Sequence, residues 1–121
     1  MNLDTKILYV DDEEINIFLF KINFSKKYQV YTALNGFEGL DILNKTPDIK
    51  IVISDMKMPK MDGLTFIKKA RTLFSDVSYF ILTGFEITDE IQNALDEKII
   101  LQYFSKPFDL KEVTAAIDQF S

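Results

Sequence analysis

The sequence predicts an α/β fold of five β–α units on a parallel sheet, and three observations predict it. Short apolar runs recur along the chain without polar alternation, helix-start signals lie between them, and 121 residues suffice for one domain around a single core. Continuous apolarity suits strands covered on both faces, as in a parallel sheet, whereas a sheet with one wet face would alternate. Right-handed crossovers then wrap the helices over both faces. No repeat, low-complexity tract or linker interrupts the pattern, so residues 1–121 read as one domain.

The first run, Ile7-Leu8-Tyr9-Val10, leads into Asp11 and Asp12, with Glu13 and Glu14 following. The helix after it is apolar on most sides: Ile15, Phe18, Leu19 and Ile22 make one stripe, and Ile17, Phe20 and Phe24 another. Such a helix is expected to be well buried; the alternative is an exposed patch that meets a partner. The second run is Val30-Tyr31-Thr32-Ala33, after which Asn35-Gly36-Phe37-Glu38 reads as a capping box. The third, Ile51-Val52-Ile53, runs into Ser54-Asp55, and Asp62 can cap a helix carrying Leu64, Ile67 and Phe74. The fourth, Tyr79-Phe80-Ile81-Leu82, ends at Thr83-Gly84, and Thr88 can cap a helix carrying Ile91, Ala94 and Leu95. The fifth, Ile99-Ile100-Leu101, reaches Ser105-Lys106-Pro107. A second capping box, Asp109 to Glu112, opens a helix with Leu110, Val113, Ile117 and Phe120 on one face.

Composition removes whole classes of chemistry. There is no histidine and no cysteine, which excludes imidazole catalysis, thiolate metal sites and disulfides. A net charge of −5 argues against nucleic-acid binding, which needs a basic face. No apolar run has membrane-spanning length and no secretion signal opens the chain, so the cytoplasm is the expected location. Chemistry must run on carboxylates, hydroxyls and lysines.

In an open parallel sheet, ligands bind beyond the carboxyl ends of the strands. Here those ends deliver Asp11 and Asp12, Asp55, Thr83 and Lys106. Each has a plain reading alone: Asp11 and Asp12 as helix caps, Asp55 as a turn residue, Thr83 as a strand end, Lys106 as a solvated lysine. Convergence on one edge favours a site. Three carboxylates in one pocket oppose each other by about 1 kcal/mol or more per pair, so the cluster needs a cation. Oxygen-only ligands with few protein donors point to Mg²⁺ rather than Ca²⁺, and no EF-hand loop is present. A hydroxyl and an ammonium beside the metal suit a transferring phosphoryl group, with Asp55 as nucleophile.

The segments ILYVDDEE at 7–14, VISDMKMPKMDG at 52–63, ILTG at 81–84 and YFSKPF at 103–108 resemble, in this order and register, the receiver domains of bacterial two-component response regulators. The resemblance covers essentially the whole chain. It implies a flavodoxin-like doubly wound sheet of order 2-1-3-4-5 and a Mg²⁺-dependent phosphorelay switch phosphorylated on Asp55. It implies Mg²⁺ held by Asp12, by Asp11 largely through water, by Asp55 and by the Lys57 carbonyl. Thr83 and Lys106 would hold the phosphoryl oxygens, the Lys106–Pro107 bond would be cis, and Tyr103 would be the switch aromatic that follows Thr83. The implied partners are a sensor histidine kinase or a histidine phosphotransfer protein, and a homodimer or effector at the face of the fourth helix, fifth strand and fifth helix. Only self-directed phosphoryl transfer and hydrolysis are expected, not enzymatic turnover.

Lys57 and Phe85 lie two residues beyond Asp55 and Thr83, where side chains can lean over the site. Phe85 would either hinder the water that hydrolyses the acyl phosphate or pack against the fourth helix. Two rival readings are a receiver-like interaction module that never takes phosphate, and a phosphatase of the haloacid dehalogenase type. The second wants its nucleophile after the first strand with an acid two residues on, which Asp11 and Glu13 imitate poorly, and a cap segment that is missing here.

Overall fold

The computed structural model describes residues 4–84 and 86–121. Strands β1 (Lys6–Val10), β2 (Gln29–Ala33), β3 (Ile49–Asp55), β4 (Ser78–Thr83) and β5 (Gln102–Ser105) alternate with helices α1 (Glu14–Phe24), α2 (Gly36–Lys45), α3 (Gly63–Leu73), α4 (Asp89–Asp96) and α5 (Leu110–Phe120). All strand pairs are parallel and the sheet order is β2-β1-β3-β4-β5. The order reverses between β1 and β3, the position at which such sheets open a ligand crevice.

Strand periodicity divides the core in two. Leu8, Val10, Val52, Tyr79 and Ile81 pack with α2, α3 and α4 on one face, whereas Ile7, Tyr9, Ile51, Ile53, Phe80 and Leu82 pack with α1 and α5 on the other. Both faces are covered, which is why the strand runs are continuously apolar.

The expected caps close the helix starts. Asn35 accepts from the Glu38 N–H, while the Glu38 carboxylate reaches back to the Leu34 N–H. Asp62 accepts from Thr65, Thr88 from Ile91, and Asp109 from both Lys111 and Glu112. Helix α1 lacks such a bond: its cap residue is Glu13, so Asp11 and Asp12 are not its caps.

Two expectations are corrected. Helix α1 is not buried all round: Phe20 and Phe24 enter the core, but Ile15, Phe18, Leu19 and Ile22 are 59%, 57%, 45% and 55% exposed. The run Ile99–Leu101 is not the fifth strand but the turn before it; Lys98 takes a left-handed conformation (φ 61°), and the Ile99 and Ile100 N–H groups bond back to the Ala94 carbonyl, which tucks Ile100 into the core. On α5, Val113 and Ile117 are buried but Leu110, at its first turn, is exposed.

Candidate functional site

Parallel register brings the strand ends together. Asp55 closes β3 opposite Leu82, so Thr83 lies one residue beyond it on β4 and is buried. Thr83 pairs in turn with Ser105, and its carbonyl accepts from the Lys106 N–H at 2.8 Å. The loops after β4 and β5 are thereby tied at their bases. Asp11 follows β1, held to the sheet by its N–H on the Ala33 carbonyl at 3.1 Å.

The side chains converge on one point. One carboxylate oxygen from each of Asp11, Asp12 and Asp55 lies within 4.8 Å of the others. Lys106 Nζ stands 3.0 Å from Asp55 Oδ1 and 3.6 Å from Asp11 Oδ2. Asp11 is fully buried, Asp55 is 7% exposed, and Asp12 is open to solvent. Lys57 is exposed on the loop beyond Asp55, and Tyr103 is half-buried in β5, paired with Ile81. The Lys106–Pro107 bond is cis, as expected. Phe85, for which the sequence leaves open a place over the site or against the fourth helix, lies outside the described residues.

The electrostatics follow from burial and crowding. Burial pushes the Asp55 carboxyl above its ordinary range; the Lys106 ammonium pulls it back, but Asp11 adds like charge and the net direction is upward. Burial opposes the charge on Lys106, yet Asp55 and Asp11 outweigh it and hold the ammonium above its usual value. A hard oxygen-donor set of this charge, with one acid in contact with water, fits a small divalent cation that keeps part of its hydration shell, which is Mg²⁺ chemistry. An anion arriving beside that cation would meet the Lys106 ammonium.

Two residues of the site were not singled out from the sequence. Tyr9 donates its hydroxyl to Asp11 Oδ2 at 2.6 Å, and burial, with the Asp11 charge adding to it, keeps that phenol protonated far above its usual range. The signal was available: a phenol within an aliphatic strand, two residues before an acid and hence on the same face. Gly63 is the other. Its N–H donates to the Met56 carbonyl at 2.8 Å, closing the loop after Asp55, and a Cβ there would lie 2.2 Å from the Asp55 carbonyl oxygen.

A cavity of about 240 Å³ lies beside Lys106, lined also by Tyr9, Asn16, Leu19, Leu82, Pro107 and Phe108. It joins the exposed stripe of α1 to the Lys106 side of the site. Asp11 accepts from the Tyr9 hydroxyl and, at 3.0 Å, from the Glu13 N–H, which anchors its carboxylate at the base of the site.

Comparison with known proteins agrees with this arrangement. A family model described as the response regulator receiver domain matches residues 7–118. The chain is 36% identical over 120 residues to Sporulation initiation phosphotransferase F of Bacillus subtilis (strain 168), covering 98% of this chain and 94% of that protein. It is 27% identical to Sensor kinase CckA of Brucella abortus (strain 2308), covering 95% of this chain but 12% of that protein. Among solved structures, a response regulator receiver domain protein from Clostridium thermocellum superposes with a TM-score of 0.88 at 31% identity, over 95% of this chain and 92% of that one.

Proposed function

The chain belongs to the response regulator receiver domain family of two-component signalling, and from that premise we propose that it is a Mg²⁺-dependent switch that accepts a phosphoryl group on Asp55. The observation that carries this reading is the Lys106 ammonium 3.0 Å from Asp55 Oδ1, within a cluster of three carboxylates. Asp11, Asp12 and Asp55, with the Lys57 carbonyl, would hold Mg²⁺, which when bound neutralises the negative charge of the incoming group.

The chain's own residues account for the rest. An Asp55 carboxylate oxygen attacks phosphorus, and the bond from phosphorus to the donor's histidine nitrogen, or to the leaving oxygen of a small phosphodonor, breaks as the acyl phosphate forms. Lys106 passes from the carboxylate to a phosphoryl oxygen, and the Thr83 hydroxyl donates to another. Because the Thr83 carbonyl and the Lys106 N–H are joined, a shift of one loop moves the other. That coupling supports Tyr103 as the reporting aromatic and the surface of α4, β5 and α5 as the output face for a homodimer or effector. Water attack on the acyl phosphate restores the resting state.

The proposed donor is a sensor histidine kinase or a phosphotransfer protein in the cytoplasm, docking over the exposed stripe of α1. Leu19 of that stripe shares a cavity with Lys106, so a partner seated there comes up against the lysine that contacts Asp55. No helix among the described residues is long and apolar enough to cross a membrane.

Radiolabelled acetyl phosphate tests the reading. Wild type incorporates acid-stable, base-labile phosphate only with Mg²⁺, and Asp55→Asn incorporates none. Labelling of Asp55→Asn at the wild-type rate would move the acceptor off Asp55, and a wild type inert with Mg²⁺ would leave the phosphate-independent interaction module.

A further inference from the structure

Tyr9 is the one polar-tipped side chain that β1 sends into the face packed against α1 and α5; Ile7, Ile51, Ile53 and Leu82 around it are aliphatic. Its ring lies flat on Phe20, with centroids 4.1 Å apart and planes 1° from parallel, so α1 fixes where the hydroxyl points. That hydroxyl donates to Asp11 Oδ2 at 2.6 Å, and the Glu13 N–H donates to Asp11 Oδ1 at 3.0 Å. A carboxylate with a directed donor on each oxygen cannot rotate.

The same Oδ2 is the atom that faces Lys106, 3.6 Å away, while Lys106 stands at 3.0 Å from Asp55. Two acids therefore compete for one ammonium. Asp11 is fully buried, so bulk solvent does not reach its oxygens. Stripped of the phenol, its Oδ2 would take the nearest remaining donor, which is Lys106.

We propose that the Tyr9 hydroxyl is a positioning group of this site: it holds Asp11 in the orientation that serves the metal, and by satisfying Oδ2 it leaves Lys106 to Asp55. The inference rests on the reading that Asp11, Asp12 and Asp55 bind Mg²⁺. It adds a residue outside that set, acting through Asp11 rather than touching metal or phosphate. Partners that orient metal ligands in this way typically contribute about 10–100-fold to metal affinity.

Calorimetric titration with Mg²⁺ tests it directly, with circular dichroism to verify the fold. Tyr9→Phe keeps the stack on Phe20 and removes one oxygen; it is expected to bind Mg²⁺ about tenfold more weakly than wild type. In an Asp11→Asn background the same change should alter affinity by less than about twofold, because the group it orients is no longer a carboxylate. Wild-type affinity in Tyr9→Phe, or an undiminished loss in the Asp11→Asn background, overturns the proposal while leaving the metal site standing. A wild type that binds no Mg²⁺ overturns both. Should Tyr9→Phe not fold, the wild type decides: the resonance of the Tyr9 ring carbon that bears the hydroxyl reads its bond to Asp11, 2.6 Å long. Saturating Mg²⁺ should move it, and a resonance that stays in place refutes the role.

Discussion

A Cβ added to Gly63 would lie 2.2 Å from the Asp55 carbonyl oxygen and 3.0 Å from Ile81 Cδ1. The first neighbour is backbone and cannot swing aside, so Gly63→Ala must displace the loop of residues 56–62 or the end of β3. Overpacking of this kind costs roughly 1–3 kcal/mol, to be read from urea denaturation, and acetyl phosphate labelling should fall with it because the displaced atom belongs to Asp55. Gly84 is the contrast. Among the described residues a Cβ there meets the Lys106 side chain alone, at an ordinary contact distance of 3.7 Å, so Gly84→Ala should change stability by less than about 0.5 kcal/mol. Equal losses from the two substitutions would mean that steric approach to Asp55 is not what Gly63 provides. Both glycines stand in motifs visible in the sequence, but which one is crowded depends on how closely α3 begins to β3, and no single-residue pattern states that distance.

The elements differ in how far the sequence disclosed them. The ends of β1, β3, β4 and β5 were legible because a parallel sheet sends every carboxyl end to one edge, so polar residues closing apolar runs had to meet. The start of β5 was misread because Ile99–Leu101 is apolar for another reason: Ile100 fills the core behind α4 before the strand begins. Helix α1 was misjudged on the same ground, since two apolar stripes suggest burial without saying which of them a neighbour covers. Its open stripe now has a consequence. Phe18, 57% exposed, contributes little to the core, so Phe18→Glu should leave the unfolding free energy within about 0.5 kcal/mol of wild type. Phosphotransfer from a protein donor should drop by tenfold or more, the size of one interface anchor lost, while acetyl phosphate labelling stays unchanged. A variant that loses both reactions equally would show that the stripe shapes the site rather than the docking.

For the molecule as a whole, three crowded carboxylates weigh against the fold, and a cation bound among them is expected to reverse that. The native Asp55 carboxyl titrates above the value it has in the unfolded chain, so the folded state holds that proton more tightly. This contribution is full below the unfolded pKa, near ~3.9, and is lost as pH rises through the higher native value. Lys106, also raised, keeps its contribution until pH climbs past the ordinary lysine range, ~10.4. Once pH has passed the native Asp55 value, therefore, the lysine still helps, but Asp55 stands ionised among like charges. Without metal, Asp55→Asn should melt higher than wild type at pH 7, by on the order of 1 kcal/mol, the size of one like-charge pair near water, or about 4 °C for a domain of this length. That advantage should shrink as pH falls toward 4, where wild type takes up the proton itself. Mg²⁺ at a hundred times its dissociation constant should stabilise wild type by about 2.7 kcal/mol and the variant by much less, so the order of the two melting curves should invert. The crossing separates charge crowding from packing, because an isosteric Asn that changed only packing would keep the same rank with and without metal. A variant that melts below wild type in metal-free buffer at pH 7 would mean that the Lys106 contact outweighs the repulsion, and the three acids would then not by themselves call for a cation.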